Sequence, residues 1–129
     1  MWTFEQSTGK LYNKQGTLVT AHAYAGGNCG KSPEGKNNPD MQNVPKVGPL
    51  PCGLYTLGKV VLESHLGPFA IPLIPDPSNE MFGRGEFFIH GDTVPSGNAS
   101  EGCLILPREL REEIYASHEQ LQVVKEFNQ

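Results

Sequence analysis

Residues 88–92 read FIHGD, and residues 101–105 read EGCLI. In the first stretch an apolar segment ends in His90, and in the second an apolar segment begins at Cys103, with a glycine beside each. Short apolar runs rich in aromatic and β-branched residues are typical of strands. The two stretches therefore predict a β fold with a histidine at the end of one strand and a cysteine at the start of another.

This pair of side chains is suited to acyl transfer. The thiolate of a cysteine is a nucleophile, and a nearby imidazole can take up the thiol proton and later pass it to a leaving amine. Gly102 allows the backbone to turn, so that neighbouring N–H groups point at a developing oxyanion. The alternative interpretation of Cys103 is a buried structural cysteine, which is the usual environment of a free thiol.

The rest of the sequence extends the β prediction. The 129 residues include 15 glycines and 11 prolines, an excess over average usage that favours many turns. Strand-like stretches lie at residues 2–5, 11–12, 17–24, 54–63, 86–90, 103–106 and 121–125. One helix is expected directly after the Cys103 segment. Pro107 suits its first position, Leu110 and Ile114 share a face, and the pattern ends near Ser117.

Three stretches are expected to be irregular. Residues 26–40 are rich in glycine, asparagine, lysine and proline, and residues 91–102 are rich in glycine, serine and asparagine. Residues 67–79 contain four prolines, which argues against a helix or a central strand. Because loops on a rigid sheet often carry substrate recognition, we expect at least one of the stretches 26–40 and 67–79 to border the Cys103 cleft.

Length, charge and cysteine content limit the class of protein. The length predicts a single domain over residues 1–129. The formal net charge of −4, with no run of lysine or arginine, argues against nucleic-acid binding, and no window is apolar enough to predict membrane insertion. The first residues do not resemble a signal peptide, so we expect synthesis in the cytoplasm without a cleaved signal. Cys29 and Cys52 either form a disulfide or remain two unrelated thiols.

Several motifs together resemble a known family. Residues 100–103 read SEGC, which is similar to the Ser/Thr-His-Gly-Cys motif of L,D-transpeptidases (YkuD-related) with Glu101 in place of the histidine. With HGD at residues 90–92, this variant resembles the L,D-transpeptidase-like effectors of the type VI secretion system. The opening WTFEQSTGKL at residues 2–11, GPLPCGLY at residues 48–55 and GR at residues 83–84 also fit, so the resemblance covers nearly the whole chain.

The resemblance implies a fold and a catalytic set. The fold would be a mainly β sandwich or barrel domain with one short helix after the cysteine segment. Cys103 would be the nucleophile and His90 the general base, oriented by a backbone carbonyl near Gly91. The N–H groups of Gly102 and Cys103 would form the oxyanion hole, and no cofactor would be needed.

Four further residues are candidates for substrate binding, each with a structural alternative. Asp92 either contacts the amine of a stem peptide or forms a turn, and Ser100 is either a site residue or a hydrogen-bonding loop residue. Arg84 either pairs with a substrate carboxylate or makes a surface ion pair. Glu101 either binds a donor amine or is a solvated carboxylate. His22, His65 and His118 are isolated in the sequence and are expected to be ordinary histidines.

The function that the resemblance implies is antibacterial. The protein would act on peptidoglycan stem peptides by cysteine acyl transfer, as an L,D-carboxypeptidase, as an L,D-transpeptidase that exchanges D-amino acids, or as both. It would be secreted and toxic in the periplasm of target bacteria, with a cognate immunity protein and a delivery component of the secretion system as partners. The alternatives are a non-catalytic peptidoglycan-binding module and a metal-dependent amidase that uses His90, Asp92 and Cys103. The spacing of those three residues fits no common metal motif.

Overall fold

The computed structural model describes residues 1–93 and 96–127, which form nine strands and one α-helix. The strands are β1 (Trp2–Glu5), β2 (Lys10–Tyr12), β3 (Leu18–Thr20), β4 (Tyr24–Ala25), β5 (Gly53–Leu57), β6 (Ile71–Pro75), β7 (Phe88–His90), β8 (Leu104–Ile105) and β9 (Leu121–Val124). The helix α1 spans Arg108–Ser117. Residues 94 and 95 of the predicted loop 91–102, and residues 128 and 129 of the predicted domain, lie outside the described residues.

All nine strands belong to one curled sheet, a half-barrel with the order β3-β2-β1-β9-β5-β6-β7-β8-β4. Most neighbours are antiparallel, whereas β1 pairs with β9, and β7 with β8, in parallel. The parallel pair β7–β8 joins the two stretches that carry His90 and Cys103. The predicted mainly β fold with one helix after the cysteine segment is therefore confirmed.

The helix has the predicted apolar face, and it also carries one buried arginine. Ile114 is fully buried and Leu110 packs against the core, as their shared face predicts. Pro107 is the residue before the first helical turn rather than its first member, and its ψ of 162° is extended. Arg111 is also buried, and its guanidinium donates to the carbonyls of Leu106, Phe69 and Pro68. The helix is thereby fixed to the end of β8 and to the approach to β6.

The prediction that residues 67–79 exclude a central strand is wrong, because β6 lies there between β5 and β7. The two prolines of β6 fall where a donor is dispensable. Pro72 faces the end of β5, where its carbonyl still accepts from the N–H of Gly58. On the other side of β6, the N–H of Leu73 donates to the carbonyl of Phe87. Pro75 lies two residues further along, so its nitrogen also faces β7, but beyond the residues of β6 that pair with β7. A central strand can therefore contain prolines if each one faces a neighbouring strand outside the stretch that is paired with that neighbour.

Two other predicted stretches are subdivided. The strand expected over residues 17–24 divides into β3 and β4, and the strand expected over residues 54–63 ends at Leu57. The irregular stretch 26–40 contains three short 3₁₀ turns, at Asn28–Gly30, Pro33–Gly35 and Pro39–Met41. No helix in the described part of the chain is long and apolar enough to cross a membrane.

Candidate active site

The parallel pairing of β7 with β8 places His90 and Cys103 on the same face of the sheet. Ile89 lies opposite Leu104, and His90 lies opposite Ile105. Since side chains alternate along a strand, the residue after Ile89 and the residue before Leu104 share the other face. Both side chains line a cleft of about 710 Å³. The fold thus brings the two candidate catalytic residues into one cavity.

His90 is oriented by its own segment of backbone. Its Nδ1 lies 2.9 Å from the carbonyl oxygen of Gly91. A carbonyl can only accept, so Nδ1 carries the proton and the lone pair of the neutral imidazole is on Nε2. Burial lowers the pKa of His90 below 6.5, and the nearby charges of Arg111 and His65 lower it further. At neutral pH the imidazole is therefore uncharged and able to accept a proton.

Cys103 is a protonated thiol in the resting protein. Burial raises its pKa to about 11, and the carboxylate of Glu101 also raises it. The N–H of Phe88, which lies 3.4 Å from Sγ, and the charge of Arg84 act in the opposite direction. A thiol and a neutral imidazole in one cleft can react by general-base catalysis, in which the proton leaves sulfur as the nucleophile attacks.

Ser100 organises the turn that carries Cys103. Its side chain is almost fully buried, and its Oγ donates to the Cys103 carbonyl at 2.7 Å. The same oxygen accepts from the N–H of Gly26 at 2.7 Å and from the N–H of Gly102 at 2.9 Å. Of its two alternatives from the sequence, Ser100 therefore matches the second, a hydrogen-bonding loop residue. Because the Gly102 N–H is already bonded, the prediction that it belongs to the oxyanion hole is corrected, and the Cys103 N–H is the remaining candidate.

Gly102 is required at this turn for its conformation and for its size. Its φ of 133° lies in a region that side chains rarely adopt. A Cβ at this position would approach Nη2 of Arg84 to 2.5 Å and Cε1 of Phe87 to 2.7 Å. Both distances are shorter than a real Cβ contact, so position 102 strongly favours glycine.

The structure gives Arg84 a structural role. Its Nη1 donates to the carbonyls of Gln42 and Pro49, and its Nη2 donates to those of Gly48 and Glu101. All four N–H groups of the terminal nitrogens are therefore occupied. These contacts match neither alternative from the sequence, because they are with backbone carbonyls rather than with the partner of a surface ion pair, and they leave no free pair of terminal N–H groups for a substrate carboxylate. Arg84 instead ties the segment 42–49 to the turn before Cys103.

Asp92 fixes the loop that follows His90. Its carboxylate accepts from the hydroxyl of Tyr24 at 2.5 Å and from the N–H groups of Thr93 and Gly97. Burial and this hydrogen bond raise the pKa of Tyr24. Asp92 is not among the described residues that line the cleft, and its contacts match the turn-forming alternative rather than the substrate-binding one.

Glu101 lines the cleft and contacts a second thiol. The Sγ of Cys29 lies 3.8 Å from its Oε1, and Cys29 is exposed in the same cleft. Cys52 lies elsewhere, with its Sγ 3.3 Å from Oε1 of Gln6. All three cysteines are free, so the disulfide alternative for Cys29 and Cys52 is corrected.

The cleft also contains residues that no motif includes. Lys46 and Glu86 line it, and so does His65, which the sequence analysis had expected to be an ordinary histidine. The predicted bordering loops do contribute, with Cys29 from the first and Pro72 and Leu73 from the second. The one usable signal for Lys46 and Glu86 was proximity in sequence to GPLPCGLY at residues 48–55 and to the strand of His90.

The described residues form no group of three His, Cys, Asp or Glu side chains placed to hold a metal ion. His90, Asp92 and Cys103, the ligand set of the amidase alternative, are accordingly not gathered at one point. His90 and Cys103 line the cleft, whereas the Asp92 carboxylate accepts from Tyr24 and the following loop.

Comparison with known proteins places the chain in a family. The model of the Tlde1 domain matches residues 20–127, which is most of the sequence. The chain belongs to the Tlde1 family. This is the family of type VI secretion L,D-transpeptidase effectors, which act on peptidoglycan. None of the curated proteins compared with the chain matches it.

Two solved structures share the fold of this Tlde1 domain. Bd1075 of Bdellovibrio bacteriovorus has a TM-score of 0.59 at 15% identity and covers 99% of this chain and 48% of its own. The helical cell shape determining protein Pgp2 (K307A mutant) of Campylobacter jejuni has a TM-score of 0.56 at 15% identity, with 98% and 47% covered. The chain thus spans about half the length of each neighbour, and the likeness concerns the fold.

Proposed function

We propose that this protein is a cysteine-dependent enzyme that removes or exchanges the terminal D-alanine of peptidoglycan tetrapeptide stems. The observation that carries the proposal is the presence of Cys103 and His90 in one cleft, with Nδ1 of His90 bonded to the Gly91 carbonyl. Membership of the Tlde1 family supports peptidoglycan as the substrate.

The first half-reaction forms a thioester. Nε2 of His90 takes the thiol proton as Sγ of Cys103 attacks the carbonyl carbon at the L-centre of the residue before D-alanine. The Cys103 N–H is the candidate donor to the oxyanion of the tetrahedral intermediate. The intermediate then collapses, the C–N bond breaks, and the imidazolium gives its proton to the amine of the departing D-alanine.

The second half-reaction releases the enzyme. Water, or the amine of a free D-amino acid, attacks the thioester carbon while His90 accepts a proton from it. The C–S bond breaks, and the thiolate of Cys103 is reprotonated by the imidazolium. Water leaves a tripeptide acid, which is the carboxypeptidase outcome, and a D-amino acid leaves an exchanged tetrapeptide. Either product depletes the donors for cross-linking, which accounts for toxicity.

The site of action follows from the substrate. Peptidoglycan stems are accessible in the periplasm of a target cell, so we propose secretion into that compartment. We also propose a cognate immunity protein in the producing cell and a delivery component of the secretion system, as the family implies.

Incubation with purified tetrapeptide muropeptides, with and without a free D-amino acid, tests the proposal by mass spectrometry. We expect loss of D-alanine in the first case and exchange in the second, with both reactions abolished in Cys103→Ala and His90→Ala. Binding of muropeptides without any change in their mass would instead indicate the non-catalytic module. Activity of the wild-type protein that a chelator removes and a thiol-alkylating reagent leaves intact would indicate a metal-dependent amidase.

A further inference from the structure

Two of the charged side chains on the cleft wall are opposite in sign and have no partner among the described residues. Lys46 and Glu86 both line the cleft that holds Cys103 and His90, and both are exposed. Within residues 1–93 and 96–127, no hydrogen bond or ion pair joins either side chain to another group. Glu101 differs, because its carboxylate already accepts from the thiol of Cys29.

Lys46 and Glu86 are held in position by the same anchor. Arg84, two residues before Glu86, donates to the carbonyls of Gly48 and Pro49, which follow Lys46 closely in the chain. The guanidinium therefore joins the segment that carries the cation to the segment that carries the anion. The backbone segments that carry the two charges are therefore joined by part-buried hydrogen bonds.

Both residues also have a backbone conformation that side chains disfavour. The φ of Lys46 is 67° and that of Glu86 is 60°, in the left-handed region where glycine or asparagine is usual. Such conformations persist only where the surrounding structure imposes them, and they are enriched at ligand sites. A lysine and a glutamate at these positions therefore lower the free energy of unfolding, and folding by itself does not explain their presence.

Their position relative to Cys103 indicates which part of the substrate they face. The N–H of Phe88 contacts Sγ of Cys103, and Glu86 lies two residues before Phe88. His90 lies two residues after it, so Glu86 and His90 lie on opposite sides, along the chain, of the residue whose N–H contacts the nucleophile, and both line the cleft. Under the proposed function, the residue whose carbonyl is attacked carries its own side chain next to Cys103. A cation and an anion there match a side chain that ends in both a carboxylate and an amine.

We propose that Lys46 and Glu86 determine substrate specificity by binding the zwitterionic end of the diamino acid at the third position of the stem. Lys46 pairs with its free carboxylate, and Glu86 pairs with its free amine. This inference rests on the proposed acyl-transfer function. Charge-assisted hydrogen bonds are the strongest that such a site can offer, and we expect each pair to contribute about tenfold in kcat/KM.

The test uses three tetrapeptide muropeptides that differ only at the third residue. The first contains meso-diaminopimelate, the second has its side-chain carboxylate amidated, and the third has its side-chain amine acetylated. Release of D-alanine by the full chain gives kcat/KM for each. We expect the wild-type protein to prefer the unmodified substrate by about tenfold over each modified one.

The variants separate the two charges. Lys46→Met should lose the preference over the amidated substrate and keep the preference over the acetylated one, and Glu86→Gln should show the reverse. Lys59→Met and Glu34→Gln, which change exposed charges outside the cleft, should behave as wild type. Equal kcat/KM for all three substrates in the wild-type protein, or an equal loss on all three in each cleft variant, would overturn the specificity role. Absence of D-alanine release from every substrate would instead refute the proposed function.

Discussion

Ser100 gives the sharpest prediction about how the catalytic turn is held. Replacement by alanine removes one oxygen that accepts from the N–H groups of Gly26 and Gly102 and donates to the Cys103 carbonyl. Each buried polar group left without a partner costs about 1–3 kcal/mol. Taken in the lower half of that range, two buried donors and one partly buried carbonyl place the loss for Ser100→Ala at about 3–5 kcal/mol, a large share of the stability of an ordinary domain.

Urea unfolding of Ser100→Ala measures this loss. With a slope of about 1.5 kcal/mol per molar urea, the midpoint should fall by roughly 2–3 M. Ser64→Ala is a matched control, since Oγ of Ser64 donates to the carbonyl of Gly67 and accepts from the N–H of Leu66 within one partly exposed local turn. We expect that variant to lose less than about 1 kcal/mol. A Ser100→Ala protein that unfolds at the same urea concentration as the control would refute the view that Ser100 supports the turn.

Three further predictions concern the site. Gly102→Ala should destabilise the protein by more than about 2 kcal/mol and abolish turnover, because its Cβ would collide with Arg84 and Phe87. Gly67→Ala is the control: its φ is 91° but the space around it is open, so it should lose only about 1 kcal/mol in the same urea assay. The acid limb of kcat/KM should have its midpoint below pH 6.5, since the pKa of His90 is lowered by burial and its neutral form is the base; a midpoint above 6.5 would contradict that role. The pKa of Cys103 in the folded protein is about 11 against an ordinary 9, so its stabilising contribution of about 3 kcal/mol is complete below pH 9 and is lost as the pH rises through 11. The difference in unfolding free energy between wild type and Cys103→Ser should therefore shrink over that range. A constant difference would argue against a buried thiol.

Local patterns in the sequence were sufficient for much of the fold. The strand Trp2–Glu5 was predicted with the bounds that the structure has, and the helix was predicted to its end near Ser117 but with its start one residue early, at Pro107. Both could be predicted because strand and helix patterns are properties of neighbouring residues. The strand β6 was missed because its prolines are harmless only in the particular register that β5 and β7 impose. Register is a property of the assembled sheet, so it cannot be predicted from a pattern of neighbouring residues in the sequence.

The candidate site divides in the same way. His90 and Cys103 could be found because a histidine and a cysteine, each beside a glycine at a strand end, form a local pattern. The hydrogen-bonding role of Ser100 was one of its two alternatives, but its partners and the role of Arg84 could not be inferred, because those partners lie as far away as Gly26 and Gln42 in the sequence. His65 likewise reaches the cleft through the fold, and no motif surrounds it.

The most direct test of the account is to trap the thioester. The wild-type protein is mixed with a tetrapeptide muropeptide, quenched in acid within the first turnover, digested and analysed by mass spectrometry. We predict that the peptide containing Cys103 gains the mass of the muropeptide minus D-alanine, and that His90→Ala gives much less of this adduct. Release of D-alanine at the wild-type rate by Cys103→Ala would contradict the account.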